Sequence, residues 1–583
     1  MDPEFKYKLC GGIASLLARL GAKDVVLSPG SRSAPLALSF LREKHIRHKM
    51  VPDERSAAFV ALGIAKIKQQ PVCLICTSAT AVLNYAPAIA EAYFSETPLI
   101  ALTADRPAEW VGQQDNQAIY QENVFANNIL KSFSINTEDE HSDNVWFAER
   151  TINEAFHVAN GAESKKGPVH INMPFREPLY PEAANNKSEP LQLKKISNYT
   201  SQEQNFNIPG NFLFSSEKKV MIACGNALPS EALSAALKSF TQNTKAVFLP
   251  DVASNQNHIP GAFPDFDLLL KNADQSLKND LQPDVLITFG GAFVSKKLKE
   301  FLRSYPPEKH IHLQKGDSII DTFQSVTDKI SIEPETFFSA LIKKYQDQTF
   351  SETYRETWQK VHEAVKNSIK TYIETDKTYS ELWAVAGLLR EIPAGSGLHL
   401  GNSLPVRLVS WLQSWLPDTV SVYSNRGTSG IDGCLSTACG AAAADPQSLH
   451  FLIIGDLSFF YDRNGLLMPE LPKNLRIMVL NNNGGGIFRH LPGAAAQNEL
   501  EEYFVMPHGL KTGHTAAQHN AGYLLATNRE SYQPAINAFC NRADKCTILE
   551  ILPDAEENFR AIRSFQENLN VEAKELKSQK DVF

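Results

Sequence analysis

The chain contains two stretches of the same design, Phe451-Leu452-Ile453-Ile454-Gly455-Asp456-Leu457-Ser458 and Ile477-Met478-Val479-Leu480-Asn481-Asn482-Asn483-Gly484. Each is a short apolar run that ends in a polar turn, which is the pattern of a buried strand in a parallel sheet. Asp456 and Asn482 are 26 residues apart, which leaves room for a connecting helix, predicted from Asn464 to Leu471. Because open α/β sheets bind ligands at the carboxyl ends of their strands, we expect the two turns to form one site.

The residue types in these turns suit a magnesium ion. Mg²⁺ prefers octahedral oxygen ligands and commonly takes one or two carboxylates together with substrate phosphates. Asp456 offers a charged oxygen, Asn482 an amide oxygen and Gly484 a backbone carbonyl, so these three are the predicted metal ligands. Either turn alone would be an ordinary loop, since Asp and Asn-Gly are common in turns. The pair at this separation resembles the motif that binds thiamine diphosphate (ThDP) through Mg²⁺ or Mn²⁺.

The composition excludes several classes of protein. The 583 residues are 43% hydrophobic and 21% charged with a net charge of −8, and they contain no stripe of Lys and Arg, so we expect no nucleic-acid partner. No apolar run reaches the roughly 18 residues of a membrane span and the start lacks a signal-peptide pattern, so we expect no membrane insertion. The eight cysteines follow no disulfide framework, which favours a reducing compartment, the cytoplasm.

Helical and strand patterns alternate in three blocks, each about the size of one domain. The predicted divisions are residues 6–180, a polar linker at 181–208, a central block at 209–350, a charged helical connection at 351–378 and a last block at 379–583. We therefore predict an α/β protein with three doubly wound domains. Resemblance to ThDP-dependent decarboxylases and carboligases implies that the first block binds the pyrimidine of the cofactor and the last block its diphosphate.

A carboxylate at a strand-to-helix junction is a candidate for cofactor activation. Glu54 has this position in Pro52-Asp53-Glu54-Arg55-Ser56, where small residues open the helix that follows. By itself, Glu54 could simply complement the positive end of a helix dipole. ThDP enzymes, however, carry one Glu in the first domain that holds the aminopyrimidine ring so that the C2 proton can be removed. With both turns of the last block present, we predict that Glu54 is catalytic.

Segments along the whole chain resemble one family, the 2-succinyl-5-enolpyruvyl-6-hydroxy-3-cyclohexene-1-carboxylate synthases of menaquinone (vitamin K2) biosynthesis. The matching segments are Ser28-Pro29-Gly30-Ser31-Arg32-Ser33, Asp53-Glu54-Arg55-Ser56-Ala57, Leu102-Thr103-Ala104-Asp105-Arg106-Pro107, Asn116-Gln117-Ala118-Ile119, Gly401-Asn402-Ser403, Ser424-Asn425-Arg426-Gly427-Thr428-Ser429-Gly430-Ile431-Asp432-Gly433 and Asn482-Asn483-Gly484-Gly485-Gly486-Ile487-Phe488. The resemblance implies a transferase that decarboxylates 2-oxoglutarate on ThDP and adds the succinyl semialdehyde carbanion to isochorismate.

The cations of the chain agree with such substrates. Both are dicarboxylates, and Arg binds carboxylates bidentately through its planar fork. By the family pattern, Arg407 and Ser403 would hold the 2-oxoglutarate side chain with Arg426 nearby. Four cations would hold the isochorismate carboxylates: Arg32, Arg106, Lys296 and Lys297. Any single Arg could instead be a surface ion-pair residue, and Lys297 stands where the family often has Arg, which removes bidentate binding there.

The resemblance assigns further contacts. Ser31 and Gln117 would hydrogen-bond the substrate or an intermediate and act with Glu54 in catalysis. Ile487, Phe488 and Leu491 would form an apolar wall against the substrate. The predicted cofactor contacts are Glu54, Ser403, Ile431, Gly455, Asp456, Leu457, Ser458, Asn482, Gly484, Ile487 and Phe488. In this fold the first domain of one subunit faces the last domain of another, which implies a homodimer or homotetramer with its sites at the subunit interface.

Two other interpretations remain open at this point. Another ThDP-dependent 2-oxo acid decarboxylase or carboligase, such as an acetohydroxyacid synthase, would often bind FAD in the middle domain, but residues 209–340 contain no G-x-G-x-x-G. A catalytically silent scaffold of the same fold would be signalled by loss of Glu54, Asp456 or Asn482, and all three are present.

Overall fold

The computed structural model describes residues 7–138, 141–162, 165–181, 189–198, 214–345 and 348–578. Within these ranges the strands form three parallel sheets, of six, five and six strands. Crossover connections join the strands, as parallel pairing requires, and most of them contain a helix, whereas residues 314–327 contain none. The predicted class, three doubly wound α/β domains, is therefore confirmed. No helix in the described ranges combines the length and the apolar character needed to cross a bilayer.

The first sheet lies between residues 24 and 174. Its strands are β1 (Asp24–Leu27), β2 (Arg47–Met50), β3 (Val72–Cys76), β4 (Leu99–Asp105), β5 (Lys131–Ser134) and β6 (Pro168–Pro174). Its helices are α1 (Lys8–Leu20), α2 (Ala34–Arg42), α3 (Glu54–Lys68), α4 (Thr80–Asn84), α5 (Ala86–Phe94) and α6 (Ser142–Ala159). The strand order β2-β1-β3-β4-β6-β5 brings the carboxyl ends of β1, β2, β3 and β4 to one edge.

The second sheet has the order β11-β10-β9-β7-β8. Its strands are β7 (Val220–Cys224), β8 (Val247–Pro250), β9 (Val285–Phe289), β10 (Lys309–Leu313) and β11 (Asp328–Ile330). Its helices are α7 (Glu231–Thr244), α8 (Phe266–Asn272), α9 (Gln275–Leu281), α10 (Lys296–Ser304) and α11 (Pro334–Lys344). The long helix α12 (Glu352–Thr375) follows and leads to the last sheet.

The third sheet has the order β13-β12-β14-β15-β17-β16. Its strands are β12 (Gly397–Leu400), β13 (Ser421–Ser424), β14 (His450–Gly455), β15 (Leu475–Leu480), β16 (Gly522–Ala526) and β17 (Thr547–Ile551). Its helices are α13 (Glu381–Glu391), α14 (Leu404–Trp411), α15 (Cys434–Ala444), α16 (Asp456–Tyr461), α17 (Pro492–Ala495), α18 (Gly513–Gln518), α19 (Arg529–Cys540) and α20 (Ala555–Ser578). Strands β14 and β15 are neighbours with Gly455 opposite Leu480, so the two polar turns of the sequence leave the sheet side by side.

The helix predicted from Asn464 to Leu471 is wrong. Strand β14 leads directly into α16, a 3₁₀ turn follows at Arg463–Leu466, and residues 467–474 lie outside helices and strands. Pro469 and Pro472 explain the difference, because proline lacks the N–H that a helix interior needs and restricts the residue before it.

The predicted linker is described only in part. Its polar segments Asn185–Ser188 and Ser201–Gln204 lie outside the described residues. Residues 189–198 have no regular secondary structure and lie along α1 and α6, where Leu193 is buried in the core of the first domain and Asn153 donates a hydrogen bond to the Lys194 carbonyl.

Helices α3 and α15 pack closely and join the first domain to the third. A Cβ atom on Gly63 would lie 2.0 Å from the Thr437 carbonyl oxygen, and one on Gly440 would lie 2.0 Å from the Val60 carbonyl oxygen. Only glycine permits this approach of the two backbones. One apolar core accordingly runs from α3 through α15 to β14 and β15.

A buried ion pair accompanies this helix contact. Lys66 of α3 and Glu91 of α5 are 6% and 1% exposed, and Lys66 Nζ lies 3.7 Å from Glu91 Oε1. Lys66 donates to the Ser424 carbonyl at the end of β13 (3.1 Å). Glu91 accepts from the Gly427 N–H (2.9 Å), the Thr428 N–H (2.7 Å) and the Thr428 hydroxyl (2.9 Å). The first domain thus holds the loop that follows β13 in the third.

We predict that Glu91→Gln lowers the midpoint of thermal unfolding measured by calorimetry on the whole chain. Lys66 would keep its charge in the core without a counterion, and the new amide N–H₂ would face the Thr428 N–H. Removing one partner of a buried ion pair typically costs about 3–5 kcal/mol. Lys131→Met is the control, because Lys131 pairs with Glu154 at the surface, where such pairs contribute about 0–1 kcal/mol. Equal shifts in the two variants would contradict the prediction.

Candidate functional site

A cleft of about 160 Å³ lies at the carboxyl ends of β12, β14 and β15. Every predicted cofactor contact except Glu54 lines it: Ser403, Ile431, Gly455, Asp456, Leu457, Ser458, Asn482, Gly484, Ile487 and Phe488. These residues come from four loops that are far apart in sequence. They meet because parallel strands present their carboxyl ends at one edge of a sheet.

Asp456 occupies the junction between β14 and α16 and is almost fully buried. Its Oδ1 accepts a hydrogen bond from the Leu457 N–H (2.7 Å), and its Oδ2 accepts one from the Gly484 N–H (2.8 Å). The second of these bonds joins the two polar turns directly. His508 Nε2 also lies 3.2 Å from Asp456 Oδ2.

Asn482 has one satisfied and one unsatisfied end. Its Nδ2 donates to Glu381 Oε1 at 2.9 Å, whereas its Oδ1 is buried and accepts no hydrogen bond from any described residue. An unpaired buried amide oxygen typically costs about 1–3 kcal/mol, so such an atom at a cleft indicates a ligand. Burial raises the pKa of the neighbouring Glu381 carboxyl to about 7, although hydrogen bonds from Asn558 and Asn482 oppose that effect.

Gly484 has a backbone that other residues would not tolerate. Its φ is +145°, and a Cβ there would lie 2.4 Å from the Val505 carbonyl oxygen. The Gly484 carbonyl accepts from the Gly486 N–H (2.9 Å), which leaves its second lone pair for a metal ion.

These groups fit a metal that is held jointly with a phosphate ligand. Among the described residues no three His, Cys, Asp or Glu side chains form a metal-binding group. Asp456, Asn482 and Gly484 supply one carboxylate, one amide oxygen and one carbonyl, which is too few for an octahedral ion on its own. Mg²⁺ typically completes such a set with phosphate oxygens and water.

The opposite wall of the cleft is formed by the β12–α14 loop and the β13–α15 loop. Ser403 has φ +73°, a strained value for a residue with a side chain, and strain of this kind clusters at functional sites. The Ser458 hydroxyl donates to the Ile431 carbonyl (2.5 Å), which holds the loop bearing Ile431. Ile487 and Phe488 lie in a 3₁₀ helix, Gly486–His490, and close the apolar end.

Two predicted substrate residues adjoin this wall. Arg407 Nη1 donates to the Ser403 carbonyl (2.5 Å), and Arg426 Nη1 donates to Asn402 Oδ1 (2.8 Å). Burial lowers the pKa of Arg407, and the positive charge of Arg426 lowers it further. The Arg426 Nε is buried and has no acceptor among the described residues. Leu491, predicted for the apolar wall, is 44% exposed and is not among the residues that line the cleft.

The predicted residues of the first domain lie at the carboxyl edge of the first sheet. Ser31 follows β1 and is exposed, whereas Arg32 is buried and donates to the Phe175 carbonyl (2.8 Å). Arg106 follows β4 and donates to the Asn116 carbonyl (3.0 Å). Gln117 is exposed with φ +53°. These side chains share one edge, but the guanidinium groups are bonded within their own domain.

Glu54 begins α3 at the same edge and is half-buried, which raises its pKa. Its neighbours in sequence contact the end of α16 and the 3₁₀ turn after it: Arg55 donates to the Tyr461 carbonyl (2.8 Å), and Asn464 Nδ2 donates to Asp53 Oδ2 (2.7 Å). Glu54 is not among the residues that line the cleft of its own chain.

Lys296 and Lys297 are the first two residues of α10, and their contacts do not indicate a shared anion site. Lys296 is 85% exposed, and both ammonium groups pair with Glu300, at 3.6 Å and 2.7 Å. Lys299, one turn further, is half-buried and donates to the Phe293 carbonyl (2.9 Å). Burial lowers the pKa of Lys299, and the positive charge of Arg426 adds to this effect.

Sequence reasoning missed three residues of this region: Glu381, Lys299 and His508. No motif surrounds Glu381 in the sequence. It belongs to the site because the start of α13 lies beside Asn482 in the fold. Lys299 stands in the same basic run as the two predicted lysines, and only the helix geometry of α10 separates them. His508 follows a π-helical turn, Leu500–Val505, that gives no sequence signal.

Comparison with known proteins gives a consistent result. Residues 9–126 match the family model "Thiamine pyrophosphate enzyme, N-terminal TPP binding domain", and residues 191–399 match "Middle domain of thiamine pyrophosphate". The chain is 38% identical over 560 residues to the 2-succinyl-5-enolpyruvyl-6-hydroxy-3-cyclohexene-1-carboxylate synthase of Cytophaga hutchinsonii, which covers 96% of this chain and 98% of the relative.

Two further relatives carry the same name. The synthase of Christiangramia forsetii is 37% identical over 562 residues, covering 94% of this chain and 96% of the relative. The synthase of Desulfotalea psychrophila is 39% identical over 547 residues, covering 92% and 96%. Because this identity extends over nearly the full length of each chain, the chain belongs to the family of 2-succinyl-5-enolpyruvyl-6-hydroxy-3-cyclohexene-1-carboxylate synthases, which are thiamine diphosphate enzymes.

Proposed function

We propose that this chain uses ThDP and Mg²⁺ (or Mn²⁺) to decarboxylate 2-oxoglutarate and to join the four-carbon remainder to isochorismate. The products would be 2-succinyl-5-enolpyruvyl-6-hydroxy-3-cyclohexene-1-carboxylate and CO₂, a step of menaquinone biosynthesis. The main structural support for this proposal is the unpaired Asn482 Oδ1, which lies beside the buried Asp456 carboxylate in a cleft lined by residues that match the family. The name shared by near full-length relatives supports the choice of reaction.

The residues of the cleft would act by binding and by excluding water. ThDP, when bound, would supply a nucleophilic carbon and an electron sink for decarboxylation. Asp456, Asn482 and Gly484 would hold the cation that neutralises the diphosphate. Ile487 and Phe488 form an apolar wall, and loss of CO₂ is favoured where water is excluded.

Glu54 would activate the cofactor through its pyrimidine ring. A carboxylic acid can hydrogen-bond the ring nitrogen and favour the tautomer that removes the C2 proton. Partial burial of Glu54 raises its pKa and so favours the protonated form that donates this bond.

The substrates would be recognised by cations around the cleft. Arg407 and Arg426 adjoin the Ser403 loop and would bind the distal carboxylate of 2-oxoglutarate. Ser31, Arg106 and Gln117 at the edge of the first sheet would contact isochorismate. Arg32 would need to exchange its bond to the Phe175 carbonyl for a substrate carboxylate. Lys296 and Lys297 would need to leave Glu300, and Leu491 would need to turn toward the cleft.

The active site would be shared between two subunits of a homodimer or homotetramer. Glu54 lies outside the cleft of its own chain, and the turn that carries it is bound to Tyr461 at the end of α16 and to Asn464 in the 3₁₀ turn after it. A second copy would then supply Glu54 to each cleft. The proposed location is the cytoplasm, which suits eight cysteines that are all unpaired.

The reaction is tested by mass spectrometry of products. Purified protein with ThDP, Mg²⁺, 2-oxoglutarate and isochorismate is expected to form an adduct equal to both substrates minus CO₂, and omission of ThDP should abolish it. Release of CO₂ without an adduct would make isochorismate the wrong acceptor. Failure to consume 2-oxoglutarate in the complete mixture would overturn the proposed reaction.

Two variants should separate activation from anchoring. Glu54→Gln is expected to keep ThDP binding and to lower turnover by about 10²–10⁴-fold, the usual contribution of a general acid or base. Asp456→Ala should weaken the affinity for ThDP by more than about 10–100-fold, because that is the typical loss when a residue that only hydrogen-bonds a metal ligand is removed. Isothermal titration with ThDP and steady-state kinetics measure the two effects. Full turnover in Glu54→Gln, or unchanged ThDP affinity in Asp456→Ala, would contradict the respective role.

The same two variants test the shared site. Co-expressed Glu54→Gln and Asp456→Ala chains with different tags should form mixed dimers that regain activity, because one of the two clefts then combines an intact Glu54 with an intact Asp456. A site built within one chain predicts no recovery, since each chain keeps one defect. Each variant purified alone is the control, and inactive mixed dimers would refute the shared arrangement.

A further inference from the structure

A buried carboxylate, that of Glu381, accepts a hydrogen bond from the predicted metal ligand Asn482. Glu381 is the first residue of α13, follows the N-cap Ser380 and is 0% exposed. Its Oε1 accepts from Asn482 Nδ2 (2.9 Å), and its Oε2 accepts from Asn558 Nδ2 (3.1 Å). Its own N–H donates to Asn558 Oδ1 (2.8 Å). Both carboxylate oxygens are therefore occupied by amide donors.

This contact decides which end of the Asn482 amide faces the cleft. Both oxygens of Glu381 accept from amide N–H groups, and the Asn482 amide can meet such an acceptor only with its donor end. With Nδ2 directed at Glu381, Oδ1 faces the cleft, where it is buried and has no donor among the described residues. The reverse orientation would set an oxygen against the carboxylate and present N–H groups to a cation.

We propose that Glu381 is a positioning residue that holds the Asn482 amide with its oxygen toward the divalent cation. The inference rests on the proposed function and extends it to a residue outside the three predicted metal ligands. Partners behind metal ligands commonly orient them in this way, and their loss typically weakens metal binding by about 10–100-fold.

The geometry predicts what Glu381→Gln would do. Glutamine keeps one acceptor, so its amide nitrogen must face either Asn482 or Asn558. The Asn558 oxygen is already held by the backbone N–H of residue 381, whereas the Asn482 oxygen has no protein donor among the described residues. Turning the Asn482 amide therefore costs less free energy than turning the Asn558 amide. In this variant the N–H₂ group of Asn482 would face the cation.

The neighbouring residue offers a matched control. Asn481 Nδ2 donates to Glu550, another buried carboxylate (2.6 Å), but its Oδ1 already accepts from the Asn483 N–H (3.2 Å). Neither Asn481 nor Glu550 lines the cleft. Glu550→Gln thus removes a buried negative charge from the neighbouring strand β17 without turning a predicted metal ligand.

The test is a titration of the full-length chain with Mg²⁺ at saturating ThDP, followed by intrinsic tryptophan fluorescence or calorimetry. Glu381→Gln should raise the Kd for Mg²⁺ by about 10–100-fold. The double variant Glu381→Gln/Asn482→Asp should restore affinity, because the introduced carboxylate accepts from the new glutamine N–H₂ and still offers an oxygen to the cation. Asn482→Asp alone should bind more weakly than the double variant, since two carboxylates would then face each other.

Several outcomes would overturn the proposal. Wild-type affinity in Glu381→Gln would refute it, and so would an equal loss in Glu550→Gln, which would indicate a general effect of buried charge. If the double variant binds Mg²⁺ no more tightly than the single variants, Glu381 has only a structural role. If Glu381→Gln fails to fold, the Mg²⁺ affinity of the double variant is compared with that of Asn482→Asp alone. Absence of Mg²⁺ binding in the unaltered chain would remove the proposed function together with this inference.

Discussion

The close contact between α3 and α15 is the constraint on which the rest of the arrangement depends. Gly63 and Gly440 let the two backbones approach until no side chain would fit between them, and one apolar core continues from the first sheet into the third. The Lys66–Glu91 pair then ties the loop after β13 to the first domain, and this loop leads to Arg426 and Ile431 beside the cleft. Because α3 begins with Glu54, the same contact also determines where the predicted catalytic carboxylate lies.

Buried polar groups that hydrogen-bond one another organise the cleft. Asp456, Gly484 and Ser458 each bond to another loop of the site, so the turns after β14 and β15 act as one unit. Buried groups of this kind are normally all paired. The Asn482 oxygen is an exception, as is the Arg426 Nε beside the cleft. The contact with the Glu381 carboxylate explains why the oxygen of Asn482, rather than its amide nitrogen, faces the cleft.

The cations show how much a tertiary environment changes an assignment made from sequence. Arg407 and Arg426 lie beside the cleft, as their motifs suggested, but Arg32 turns inward to the Phe175 carbonyl. Lys297 pairs with Glu300 three residues along α10, and Lys296 pairs with it four residues along. A charged group takes the nearest partner that reduces its desolvation cost, and a linear motif does not record which partner is nearest.

The sequence by itself determined most of the alternation of strands and helices, the α/β class, the family and ten of the residues that line the cleft. These follow from local patterns: apolar runs form buried strands, and polar turns after them must gather at the carboxyl edge of a parallel sheet. It failed for residues 464–471, where Pro469 and Pro472 end the helical pattern. Only the tertiary structure decided that Glu381 contacts Asn482, that Lys299 rather than Lys296 turns inward to the Phe293 carbonyl, and that Glu54 lies outside the cleft of its own chain. Such contacts join residues from distant elements, and their partners are set by packing and burial, which no short stretch of sequence encodes.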